Sequence, residues 1–122
     1  MSTPAEEMVQ LLMKLKSSVP GVQNVAFTSV EGRTLASTIS DVSLRVQLAS
    51  TSAASVAIAK KGTAELGLGG LDRILISGSS GSLLLTAIGP KALLTIVLGA
   101  DADPVAVARE VRQISSKLLM LM

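Results

Sequence analysis

The stretch Val46-Gln47-Leu48-Ala49-Ser50-Thr51-Ser52-Ala53-Ala54-Ser55-Val56-Ala57-Ile58-Ala59 carries no charged residue. It lies in a longer helical segment that Asp41 can cap and that extends to about Leu66. A helix with one wet face normally alternates an apolar stripe with a charged one. At about 100° per residue, this segment instead shows two apolar or small stripes. One holds Val46, Ala49, Ala53, Val56 and Ala57; the other, read as lying opposite, holds Leu44, Leu48, Ser55, Ile58, Ala59 and Leu66. The small residues between them let a second backbone approach closely. A helix buried on all sides within one domain is the plain alternative, but a chain this short has too high a surface-to-volume ratio to enclose one. One stripe is therefore expected to face the chain's own sheet and the other a partner, with the assignment open.

Outward from this helix, the rest of the chain divides cleanly. Upstream, Thr3-Pro4-Ala5-Glu6 has the form of a capping box with proline at the first helical position. Met8, Leu11, Leu12, Leu15 and Val19 follow at helical spacing, and Pro20-Gly21 stops the helix. Two β-like runs, Val22 to Val30 and Arg33 to Ser40, flank a turn at Glu31-Gly32. Downstream of Gly67-Leu68-Gly69-Gly70 come three strand candidates: Leu71 to Ser77, Ser82 to Ile88 and Ala92 to Leu98. Leu83-Leu84-Leu85 and Ile96-Val97-Leu98 do not alternate, as expected of central strands covered on both faces. The run from Asp72 to Ser77 is short and begins with charge, as an edge strand would. Asp103-Pro104 opens a last helix whose stripe is Val107, Val111, Ile114, Leu118 and Leu121. The order is α-β-β-α-β-β-β-α. Hairpin-length links make the sheet antiparallel, so residues 1–122 read as one α/β sandwich domain.

Composition narrows the chemistry. The chain of 122 residues is 48% hydrophobic, with Phe27 its single aromatic and neither Cys nor His. Thiol nucleophiles, Cys/His zinc sites and imidazole bases are thereby excluded. The net charge is +2, and the longest basic run is Lys60-Lys61. Nucleic-acid binders usually show a basic patch and stacking aromatics, so no nucleic-acid partner is expected. Glu6 and Glu7 stand where a secretory signal would be basic. Leu83 to Ala100 approaches a membrane span in length, but Gly89-Pro90-Lys91 breaks it. A cytoplasmic protein without membrane insertion is the expectation.

The motifs that could hold a ligand have simpler readings. Gly67 to Gly70 follows a helix and lacks the Gly-Lys-Ser/Thr ending of a phosphate loop, so it reads as a helix cap. Gly78 to Ser82 reads as a hairpin turn. Asp101 and Asp103 sit at a helix start, where capping explains them. Lys60-Lys61 suits a helix C-terminus. No catalytic, cofactor or metal residues are assigned, and no enzyme activity is expected.

Three local patterns together resemble the roadblock / dynein light-chain superfamily, specifically its MglB-like prokaryotic members. They are Val19-Pro20-Gly21-Val22 with Glu31-Gly32 and Leu35-Ala36-Ser37, where Glu31 replaces the usual Asp; the Ala/Ser-rich helix ending Glu65-Leu66-Gly67-Leu68-Gly69; and Asp72-Arg73-Ile74-Leu75-Ile76 with Gly81 and the apolar strands after it. The resemblance implies a profilin-like sandwich with one helix on one sheet face and two on the other. It implies dimers built by edge pairing of the third strands and packing of the second helices. It also implies a small Ras-like GTPase as second partner, whose hydrolysis is stimulated without a donated catalytic residue. The candidate interface residues are Leu44, Leu48, Ala49, Ser52, Ala53, Ser55, Val56, Ala59, Arg73, Ile74 and Ile76. A motor or signalling-complex adaptor, and a small-molecule sensor with an aliphatic pocket, are the other readings.

Overall fold

The computed structural model describes residues Met1–Met122. Its elements are α1 (Pro4–Ser18), β1 (Val22–Ser29), β2 (Thr34–Ser37), α2 (Val42–Glu65), β3 (Arg73–Gly78), β4 (Gly81–Ile88), β5 (Ala92–Gly99) and α3 (Pro104–Met120). The five strands form one antiparallel sheet in the order β2-β1-β5-β4-β3. The expected element order and sandwich are therefore present. The strand ends shift by a few residues, and β2 is half as long as its apolar run suggested.

Each helix starts where its side chains can satisfy free backbone amides. The Thr3 hydroxyl accepts from the Glu6 N–H at 3.1 Å, and the Glu6 carboxylate accepts in return from the Thr3 N–H at 3.4 Å. Asp41 accepts from the Leu44 N–H at 3.1 Å, and Asp103 from the Val105 N–H at 3.0 Å. At the first hairpin Gly32 takes φ +94°, a left-handed conformation that glycine adopts without steric cost.

The two faces of the sheet are covered unequally. α1 and α3 bury the larger core, where Leu12, Leu15, Val107 and Leu118 meet Phe27, Leu94, Ile96 and Leu98. That cluster holds 18 buried residues. Under α2 there are two small clusters of three, Ala26-Ile39-Leu48 and Val56-Leu85-Leu93. α2 is long and apolar enough to cross a membrane by length and composition, but its inner side is built for a sheet. There the Ser52 hydroxyl donates to the Leu48 carbonyl at 2.7 Å and lies 2.7 Å from the Thr95 hydroxyl of β5. Ser52 has one proton, so Thr95 is the donor in the second bond. Both residues are buried.

β5 is enclosed on both faces from Ala92 to Ile96, as its unbroken apolar run suggested, with Val97 half-buried on the α2 side. β4 is enclosed only in part: Leu84, Leu85 and Ile88 are buried, while Leu83 is half-buried because α2 does not reach fully over it. The membrane-length segment Leu83 to Ala100 resolves into β4, a turn at Gly89-Pro90-Lys91, and β5. At the β3–β4 hairpin a Cβ on Gly81 would come within 2.5 Å of the Leu98 carbonyl oxygen, so β4 and β5 meet there at backbone distance.

The Ser52–Thr95 pair yields a direct prediction. Ser52→Ala leaves the Thr95 hydroxyl buried without an acceptor and should cost about 1–3 kcal/mol in urea unfolding. Adding Thr95→Val should recover part of that loss. A double variant at least as unstable as the sum of the two single changes would contradict the assignment.

Candidate protein interface

The buried stripe of α2 is a single one, formed by Leu48, Ala49, Ser52 and Val56, with Ala53, Ser55 and Ala59 half-buried along its margins. This corrects the division of the helix into two opposite stripes. Leu48 and Ala49, assigned to different stripes, are neighbours about 100° apart and both point at the sheet. Of the candidate interface residues, Leu48, Ala49, Ser52 and Val56 are thus consumed by the chain's own core. Leu44 remains exposed.

The two margins of α2 have different surroundings. The Ala49–Ala53 margin abuts the first hairpin, where a Cβ on Gly32 would lie 3.6 Å from the Ala53 Cβ. The opposite margin, carrying Leu44, Ser55 and Ile58, therefore leans toward β4 and β3. Ile58 is 75% exposed. Toward the N-terminal half of α2 the sheet is bare: Ile76 is 40% exposed, and Leu83 and Val97, packed against the Leu48 cluster, are half-buried in a shallow groove. Ile74 is half-buried against the Val56 cluster, and Arg73 is exposed on the other face.

The two sheet edges also differ. β2 is four residues long, and its pairing with β1 slips register between Phe27 and Thr28; short, irregular edges resist further pairing. β3 has neither safeguard. It runs in unbroken register with β4 from Arg73↔Thr86 to Gly78↔Gly81 and presents Ile74-Leu75-Ile76 at the edge. The Asp72 carbonyl accepts from the Ala87 N–H at 3.4 Å. In an antiparallel pair alternate residues bond to the neighbour, so Ile74, Ile76 and Gly78 bond to β4. The backbone groups of Arg73, Leu75 and Ser77 point outward with no partner strand. A regular apolar edge of this kind is a template for another strand.

No metal-ligand set lies on this surface. There is no group of three His, Cys, Asp or Glu side chains that could hold a metal. Asp103 caps α3, Gly67 takes φ +66° just beyond α2, and Gly78 pairs with Gly81 across the second hairpin. Lys61 lies 3.9 Å from Glu65 within α2.

The chain belongs to the Roadblock/LC7 domain family, whose model matches residues 8–98. Among solved structures it is similar to an MglB with a tetrameric arrangement, at 18% identity over 99% of this chain and 91% of that one, with a TM-score of 0.88. The gliding protein MglB from Thermus thermophilus gives 19% identity over 99% and 92% of the two chains, with a TM-score of 0.85. Profilin IB of Acanthamoeba castellanii gives 16% identity over 92% and 96%, with a TM-score of 0.58. These likenesses establish the roadblock, profilin-like fold. No curated protein matches the sequence.

The inner and outer sides of α2 should respond differently to charge. Ala49→Glu buries a carboxylate against the sheet and should abolish cooperative folding, at a cost of several kcal/mol. Ile58→Glu should keep the helical circular-dichroism signal of the parent. Loss of that signal in Ile58→Glu would show that the Ile58 side is internal.

Proposed function

We propose that this protein is a non-catalytic homodimer of the cytoplasm that serves as a regulator or scaffold for a small Ras-like GTPase. The observation that supports it best is the continuity of two uncovered features. The free edge of β3 adjoins the open margin of α2 across the bare sheet around Ile76. A second copy related by a two-fold axis would extend the sheet through β3 and cover the Leu44–Ile58 margin with its own. Such an isologous contact uses one patch twice. The interface in this reading comprises Leu44, Ser55, Ile58, Ala59 and Ile76, with the β3 backbone from Arg73 through Ile74 onward. Ala53 stands apart on the far margin.

The GTPase half of the proposal comes from the family resemblance and fits the chemistry present. Residues held by the core, caps and turns leave no set of groups converging on a reacting atom, so this chain would act by positioning a partner's own catalytic groups. Stimulated hydrolysis would then depend on contact surface alone. An adaptor role in a motor or signalling complex would use the same surfaces.

Two measurements test this reading. Light scattering should give the parent chain twice the monomer mass, and Ile76→Lys, which puts a charge on the pairing edge, should give a monomer that remains folded. Small GTPases encoded beside the gene should form a complex with the dimer and turn over GTP faster in its presence. A parent chain that stays monomeric contradicts the dimer, and absence of binding to every such GTPase contradicts the regulatory role.

A further inference from the structure

On the sheet face opposite α2, between β3 and α3, lies a groove of about 450 Å³. Its apolar lining is exposed at Leu75 and Val105, over the buried Leu84. Arg73 from β3 and Arg109 and Arg112 from α3 line it and are exposed. None of the three has a carboxylate within 4 Å; the sole ion pair at that distance is Lys61–Glu65. The nearby acids are otherwise placed. Asp103 is turned to the Val105 amide, Glu110 is half-buried on α3, and Asp72 borders the adjoining depression without pairing to Arg73 or Arg112. Three guanidinium groups around a bare apolar floor are thus left without counter-charge in a chain whose net charge is only +2.

We infer that this groove docks an acidic, amphipathic segment of a partner protein, with apolar side chains on Leu75 and Val105 and carboxylates on Arg73, Arg109 and Arg112. Guanidinium forks match carboxylates in two-point geometry and are weakly hydrated, which favours them at interfaces over lysine. The floor argues against nucleic acid, because base stacking needs an aromatic platform and Phe27 is buried in the core. All of its lining comes from one copy and it lies on the sheet face away from α2, so the inference does not rest on the GTPase, and a second copy paired at β3 would border its open side.

The test uses the full chain and a short fluorescent peptide alternating Glu with Leu, followed by anisotropy. The peptide should bind saturably and more weakly as salt is added, and its Lys/Leu counterpart should not bind. R109A/R112A should weaken binding by about tenfold or more, Arg73→Ala should act in the same direction from the sheet side, and Lys91→Ala should change nothing. Matching thermal melts would show that the exposed substitutions leave the fold intact, and light scattering on the same samples reports the dimer separately. The proposal is overturned if the peptide fails to saturate, if R109A/R112A and Arg73→Ala both bind like the parent, or if a single-stranded oligonucleotide binds more tightly through the same arginines.

Discussion

An α-helix with its side chains is about 10–12 Å wide, while five strands spaced about 4.8 Å apart span roughly 20 Å from the first to the last. One helix therefore cannot cover one face of this sheet. α1 and α3 together bury a large core on their side, whereas α2 alone buries two small clusters that draw on Ala26 of β1, Leu93 of β5 and Leu85 of β4. The shortfall falls at β3 and the neighbouring half of β4. Three surface features lie along that line: the bare sheet at Ile76, the unpaired edge of β3, and the arginine-lined groove on the reverse side.

The same constraint accounts for the lack of charge in α2. Its inner stripe interleaves the small Ala49 and Ser52 with Leu48 and Val56, which lets the helix sit close to β1 and β2, and one buried polar contact, Ser52 with Thr95, ties it to β5. Its outer residues have no charged stripe because one margin lies against the first hairpin and the other borders an uncovered sheet. A partner that completes the sheet would cover that margin too. Edge pairing and helix contact would thus arise from one geometric deficit.

Much of this was legible in the sequence because it is local. The caps at Thr3, Asp41 and Asp103, the turn at Glu31-Gly32 and the stripes of α1 and α3 each depend on a few adjacent residues. The edge character of β3 could be read from its charged start and short run. The azimuth of α2 could not. With Ala, Ser and Thr on every side, periodicity does not distinguish inner from outer, and the buried stripe draws on residues from both apparent ones. The choice is made by tertiary contacts, namely Thr95 under Ser52 and Gly32 beside Ala53. The groove was also hidden. Arg109 and Arg112 have the spacing of an ordinary wet helix face, and only the packing of α3 beside β3 brings Arg73 into the same groove.

Native-state amide hydrogen exchange reads, residue by residue, whether a second copy covers the β3 edge. The Leu75 and Ser77 amides face outward in a single copy. If β3 pairs across a two-fold axis, they should be protected at high protein concentration, nearly as well as the Ile74 and Ile76 amides bonded to β4, and should lose that protection on dilution. Rapid exchange at Leu75 and Ser77 at every concentration, with Ile74 and Ile76 still protected, would show an edge that stays open and would contradict the account.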